Sequence, residues 1–508
     1  MANTNSTAAM GGVKVGPKAK SAEPALARSL GLKEAITMTI GTVVGVGLFT
    51  VGSAEIGVMG KFIFVATLIS LLISIWPVLL YSEMGAALPC AGGTYNYAKR
   101  GINRIFANMA GWNYIIAVVA ICSGESLAFA NYFSILLESF GVAVTVDPRI
   151  IACILVGAFI ILNYRGIKVA GKWQDIFMFF FWGCSLVWFI MMAPHINLSF
   201  FGAGYGSIPA GPQFLYILGL VWWCYTGFET AVSMGAEIKY PQVVIPKALK
   251  IALFLIFAVT AIFQWFLVGL VPPAFYSQLV TAVAPYADGL KMAGLIGAPI
   301  IILCIAIAFG GDLSTINPGI AAPARYIYTM AEDHALPSFL ASTHKKYKSP
   351  DKAILLVGII NILLIATNSI NFIASVSLFS LLLCYMIGCL AYVGLKKREP
   401  DMDRPYKAPA GVFGAWLTIV IYAVMMTQVD TSALITGVII TVCAIITYFL
   451  YTRKHAAPIP PIAEEIGEVE IPSAGELTSI NKEYKIWKIF ASVASVVAVL
   501  LYVIPLFV

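Results

Sequence analysis

The sequence predicts an all-helical integral membrane protein, and three observations carry that prediction. Of its 508 residues, 60% are hydrophobic and only 11% are charged, a balance foreign to soluble domains of this size. Runs of about 20 apolar residues recur along the chain, each long enough to cross a bilayer. Lysine and arginine collect in the tails and in alternate loops, which is the positive-inside pattern. The short alternating segments that a strand barrel needs are absent.

In chain order, residues 1–32 are polar, small and basic, with no apolar core before Gly31, so a disordered cytoplasmic tail is expected and no signal peptide. Twelve spans follow at about 33–54, 62–81, 108–137, 149–163, 174–193, 213–236, 248–271, 295–324, 352–367, 372–395, 413–429 and 432–451. The intervening basic loops are Lys99–Arg104, Arg165–Lys172, Lys239–Lys250, Arg325–Lys352 and Lys396–Lys407, leaving only Lys61, Arg149 and Lys291 on the outer side. This bias places the N-terminus in the cytoplasm and the chain in the cell membrane. It also accounts for the net charge of +7 without a nucleic-acid partner. Residues 453–485 read as a mobile cytoplasmic linker, rich in Pro and Glu. Residues 486–508 are apolar on every face and read as a thirteenth span rather than an interfacial helix.

Nine cysteines are dispersed without a CxxC pair, and four histidines stand apart in or near loops. Neither a metal site nor a disulfide framework is expected. With no histidine in a span, a membrane-embedded enzyme lacks a nucleophile–base pair.

Two stretches break the pattern. Trp222–Pro246, WWCYTGFETAVSMGAEIKYPQVVIP, begins as an aromatic helix and then sets Thr226 and Gly227 before a carboxylate, Glu229. An unpaired charge at mid-bilayer costs about 2.5–3.5 kcal/mol even on insertion scales. Glu229 therefore calls for a partner, a cavity or a proton, and Thr-Gly is a place for a helix to unwind. Ile40–Thr50, IGTVVGVGLFT, crowds Gly41, Gly45 and Gly47 into the first span. Taken alone, Gly41 and Gly45 also make a GxxxG packing pair. Two interrupted spans, five apart, point to a transporter built from inverted repeats with its ligand near mid-membrane.

These stretches and several loops together resemble the amino acid–polyamine–organocation family of transporters. The matching segments are IGTVVGVGLF at 40–49, SEMGAALPCAGGTYNY at 82–97, GW at 111–112, NYRGIKVAGKWQ at 163–174, GFE at 227–229, EIKYPQVVIPKA at 237–248, RYIYTMAEDHALP at 325–337, Tyr385 in LLLCYMIG and RPYKAP at 404–409. They run in family order from residue 30 to about 410. The resemblance implies five helices plus five inverted, with spans 1 and 6 broken. It makes 33–395 the transporter core and 396–452 a loop with two further spans. It does not reach the N-terminal tail or the chain from 453 onward.

The resemblance also implies roles. Gly45 and Gly47 fall on the span 1 unwinding, whose amides take a substrate carboxylate. Trp223 falls where a tryptophan caps the substrate, and Tyr114, Glu229 and Tyr385 fall where a Tyr–Glu–Tyr set closes the inner side. Thr315, with Ser314 beside it, falls at the span 8 hydroxyl that holds sodium in distant relatives. Glu125 and Asp312 depart from the family's apolar and small residues, and span 5 at Ile176–Gly183 carries no lysine in place of sodium. The expected substrate-binding set is Gly45, Gly47, Cys122, Glu125, Trp223 and Thr226. The expected gate and coupling set is Tyr114, Glu229, Tyr385, Asp312, Ser314 and Thr315.

Glu125, Glu229 and Asp312 make a negative core with no basic residue at comparable depth. Either these acids hold protons or a cationic ligand supplies the missing charge. The reading that follows is a secondary transporter of amino acids or related amines, by uptake or exchange, leaning to a cationic amino acid or amine. The alternatives are neutral amino acid uptake, with Glu125 or Asp312 carrying a proton, and, in another class, a channel. No cofactor is expected beyond a coupling proton or sodium ion, and the partners are the small-molecule substrate and the lipid bilayer. The sequence is silent on oligomeric state.

Overall fold

A computed structural model describes residues 26–202, 204–467 and 469–506. All thirteen predicted segments are helical, and among the described residues the only strand-like pairings are two isolated bridges, Leu30 with Ile238 and Ala91 with Met234. Eight helical stretches among the described residues are long and apolar enough to cross a membrane. The chain is an all-α integral membrane protein.

Span 1 comes in two pieces, Leu32–Gly41 and 47–54, and span 6 likewise, Pro212–Trp223 and Glu229–Ser233. Spans 2, 3, 5 and 7 are continuous at Ile63–Ala87, Arg104–Ser139, Ile167–Met192 and Pro241–Leu270. Span 8 runs over Ala298–Glu332 with a wide π turn at Ala306–Asp312. Spans 4, 9 and 11 are short, at Pro148–Tyr164, Asp351–Ile365 and Gly411–Met426; spans 10 and 12 cover Ile370–Arg398 and Thr431–His455. Local chemistry starts these helices where it should. Asn103 accepts from the amides of Ile105 and Phe106 at the head of span 3, and Asp147 accepts from Arg149 ahead of span 4, with Pro148 in its first turn.

Polarity is inverted relative to a soluble protein. Large aliphatic side chains such as Ile190 and Leu450 are about two-thirds exposed, as a lipid-facing surface requires. Polar side chains are inside and pair across helices. Thr67 donates to Gln264 at 2.6 Å, Asn163 to Asn317 at 3.1 Å, and Asn317 to Gln174 at 2.9 Å. In hydrocarbon such groups have no water to fall back on.

Two sequence expectations shift at the ends of the chain. The expected disordered tail, 1–32, lies outside the described residues up to residue 25, but from Leu26 the chain is seated. The amides of Ser29 and Leu30 donate to Glu237 O at 2.8 and 3.0 Å, and Arg28 donates to the carbonyls of Gly235 and Ile238. All of these accept at backbone carbonyls, so a polar composition gave no sign of them. The expected linker, 453–485, is also shortened, because the last helix starts at Ala474. Ser473 and Glu476 form a reciprocal capping box there, ahead of the apolar run.

That last helix, Ala474–Val503, runs parallel to span 7 along its whole length. Lys247 donates to Asn481, Ser495 to Phe254 O at 3.3 Å, and Tyr502 to Gln264 at 3.2 Å while stacking on Phe64 with ring centroids 4.2 Å apart. It is one of the helices long and apolar enough to cross a membrane.

Candidate functional site

The site is built where the two broken spans meet. Span 1 leaves the α-helix at Thr42–Gly45, where the Val43 and Gly45 amides make short-range bonds to Ile40 O and Val43 O. Span 6 stops at Trp223 and resumes at Glu229. Between them Gly227 has φ +107°, a conformation that side-chain-bearing residues avoid. A Cβ on Gly227 would also stand 2.9 Å from Thr42 Cγ2, so its absence lets the two breaks touch. The hydroxyls of Thr42 and Thr230 complete the contact at 3.0 Å.

Glu125 of span 3 reaches into this junction. Its Oε1 accepts the Val46 amide at 2.7 Å, and both its oxygens lie 2.2 Å from where a Cβ on Gly45 would stand. Only glycine at 45 leaves room for that carboxyl. Glu125 thus occupies the amide at the break itself. Asp312 stands beside it from span 8, fully buried. Neither Asp312 oxygen, nor Glu125 Oε2, has a hydrogen-bond donor among the described residues.

Beside Glu125 is a cavity of about 10 Å³, lined by Thr42, Val43, Gly47, Ile121, Glu125, Trp223 and Thr226. That is room for about one water molecule. Gly47, Glu125, Trp223 and Thr226 stand together in its lining, with Gly45 packed against the Glu125 carboxyl. Cys122 is not among the lining residues. Its thiol donates to Ile316 O at 3.8 Å and its Cβ packs on Gly319 of span 8. Ile121 takes the lining position, one residue earlier and about 100° round the helix. Trp223 is locked in place, Nε1 donating to Ser377 Oγ at 3.0 Å, which donates in turn to Ala117 O at 3.0 Å.

One turn further along span 6, Glu229 is fully buried. Its Oε1 accepts the Thr94 amide at 3.0 Å, and the hydroxyls of Thr94 and Tyr326 donate to the same oxygen. The Cys384 thiol approaches Oε2 at 3.9 Å. Tyr114 and Tyr385 belong to the same aromatic cluster, yet neither bonds the carboxyl. Tyr114 stacks on Tyr326 at 4.0 Å, and Tyr385 accepts the Gly227 amide at 3.3 Å while stacking on Phe228 at 4.7 Å. Thr94 and Tyr326 are therefore functional candidates that sequence reasoning missed. Both sit in quoted motifs, TYNY and RYIY, but nothing local reveals that they converge on residue 229.

Span 8 grips span 1 next to the break. Thr315 Oγ1 donates to Gly41 O at 2.6 Å and lies 3.3 Å from Val44 O. Ser314 turns its hydroxyl back to Gly311 O at 2.6 Å. Gln174 of span 5 bridges the two helices, its Nε2 donating to Thr37 O at 3.1 Å and Ser314 O at 2.9 Å. Its amide lies 1.9 Å from where a Cβ on Gly41 would be, which explains that glycine. Gln174 lies just ahead of Ile176–Gly183, the stretch without a lysine.

The end of the molecule nearest Leu30 is closed by a buried ion pair. Arg325 of span 8 donates from Nε and Nη2 to the two oxygens of Glu237 at 2.8 and 2.9 Å. A fork of this kind fixes geometry as well as charge.

This architecture has known counterparts. A family model described as "Amino acid permease" matches residues 30–451. The chain belongs to the amino acid permease family. Among curated relatives, the branched-chain amino acid permease BcaP of Bacillus subtilis (strain 168) is 22% identical over 86% of this chain and 96% of its own length. The methylthioribose transporter of the same organism is 23% identical with the same two coverages. Cationic amino acid transporter 8, vacuolar, of Arabidopsis thaliana is 25% identical over 73% of this chain and 64% of its own. This amino acid permease is thus a multi-pass membrane transporter of small molecules, in a family of permeases rather than enzymes. Its last helix, Ala474–Val503, lies beyond the family match.

Proposed function

We propose that this permease is a secondary active transporter of amino acids or related amines that works by alternating access at the junction of spans 1 and 6. The observation that carries the reading is the meeting of two broken spans around a cavity that holds both Glu125 and Trp223. Irregular backbone is tolerated at membrane depth only where protein or a cavity receives it. Two breaks five spans apart fit five helices plus five inverted. The positive-inside bias supports a cytoplasmic N-terminus in the cell membrane. In that orientation, Glu229 with Thr94 and Tyr326, and the Glu237–Arg325 pair, close the inner side.

Proton coupling is part of the proposal. Two carboxyls side by side with no donor in reach are most simply bonded by a proton between them. Glu125 and Asp312 are such a pair. The same observation favours a second reading, uptake of a neutral amino acid with the pair carrying the coupled proton. A thermal-shift screen of the purified protein against amino acids and amines tests the reading, since a ligand of the folded state raises apparent stability by mass action. Stabilisation by members of these classes supports it; a flat response across the panel at millimolar ligand opposes it.

A further inference from the structure

The polar groups of the central cavity are almost all spent, and the exception is an acceptor. The Thr42 hydroxyl bonds Met38 O at 2.7 Å and meets Thr230. The Thr226 hydroxyl bonds Trp223 O at 2.7 Å, and the Trp223 indole bonds Ser377. The Val46 amide at the break is taken by Glu125 Oε1. What remains is Glu125 Oε2, buried and without a donor, with Asp312 behind it in the same condition. Among the described residues, no Lys, Arg or His lines the cavity. A ligand that fits this chemistry donates hydrogen bonds and brings positive charge.

We infer that Glu125 is the site's own carboxylate. It fills the amide position at the span 1 break, and the transported species is an amine that lacks a carboxylate at its charged end. This rests on the transporter reading above and narrows its substrate class. Three physical points converge on it. One N–H cannot serve two carboxylates well, and a second carboxylate in a buried space repels the first. The groove beside Gly45, where a ligand carboxylate would lie, holds the Glu125 oxygens. Glu125 and Trp223 both line the cavity, so a protonated amine received there as the cavity widens gains charge-assisted hydrogen bonds from one and a cation–π contact from the other. An amino acid would need Glu125 to leave the Val46 amide first, so discrimination falls on Glu125 itself.

The test is competition between matched pairs that differ only by the carboxylate. Wild-type protein in proteoliposomes is offered putrescine against ornithine, cadaverine against lysine, agmatine against arginine, and isoamylamine against leucine. The amine of a pair is expected to be taken up at least tenfold better than its amino acid. Glu125→Gln is expected to cut amine uptake at least tenfold more than it cuts amino acid uptake, so the preference narrows or reverses. The wild-type comparison needs no variant to fold; the variant is checked by gel filtration. Preference for the amino acids in wild type, or a Glu125→Gln protein that keeps the amine preference, overturns this inference and leaves the transporter reading standing. Uptake of neither member of any pair counts against both.

Discussion

Gly93 and Glu229 are in contact through the missing side chain of the glycine: a Cβ at Gly93 would stand 2.9 Å from Glu229 Oε1 and 2.8 Å from the Tyr326 hydroxyl. The backbone there has φ +35° and leads directly into Thr94, whose amide and hydroxyl both hold the carboxyl. Gly93→Ala should therefore push Glu229 and Tyr326 off Thr94. Transport is expected to fall at least tenfold with the protein still folded, whereas Gly157→Ala, which meets nothing within 4 Å, should be neutral. Initial uptake rates with gel-filtration profiles check both.

Glu229 is the acid whose surroundings are best suited to change during a transport cycle. Its partners come from the short helix Gly93–Gly101 after span 2, from span 8 and from span 10, so a movement of any one alters the hydrogen bonds that favour its charged form. Glu229→Gln keeps one acceptor for Thr94 and Tyr326 but removes the titrating group. Uptake measured from pH 5 to pH 8 should become flatter than in wild type. An unchanged profile would leave proton coupling to the Glu125–Asp312 pair alone.

How far the sequence anticipates this site depends on whether a residue's role is carried by its own type. Clustered glycines marked the span 1 break and Thr226-Gly227 the span 6 break, because unwinding and close approach demand glycine locally. Glu125 and Asp312 stood out as acids in apolar helices. Their partners did not: the Val46 amide belongs to no side chain, and Thr94 and Tyr326 meet Glu229 only through tertiary packing. Ile121 rather than Cys122 lines the cavity because neighbours along a helix point about 100° apart. The early start of the last helix escaped notice because hydrophobicity begins at 486 while the cap sits at Ser473.

The Arg325–Glu237 pair offers a stability prediction. Both side chains are almost wholly buried, at 0% and 1% exposure. Arg325→Ala leaves Glu237 charged and unpaired, a situation that costs about 3–5 kcal/mol. The double variant Arg325→Met, Glu237→Leu removes both charges and should recover much of that loss. Thermal unfolding in detergent distinguishes them. Equal destabilisation by single and double variants would mean that packing, not charge pairing, dominates.

Two adjacent tryptophans have separable roles. Trp223 lines the cavity, while Trp222 packs against Tyr422 at 4.7 Å and Tyr385 at 6.2 Å. Trp223→Leu should raise the KM for the transported ligand at least tenfold with little change in thermal stability. Trp222→Leu should lower stability and leave KM nearly unchanged. The same KM effect from both would reduce Trp223 to a packing residue.

The central claim is that ligand is carried through the junction of spans 1 and 6, and concentration-dependent uptake tests it most directly. Proteoliposomes holding wild type or Gly45→Ala would be assayed with the amine and amino acid panel over micromolar to millimolar concentrations. The alanine Cβ would lie 2.2 Å from both Glu125 oxygens. The account expects saturable uptake of at least one panel member by wild type, and its loss in Gly45→Ala protein that still folds. Uptake that rises linearly with concentration, or that Gly45→Ala leaves intact, would contradict it.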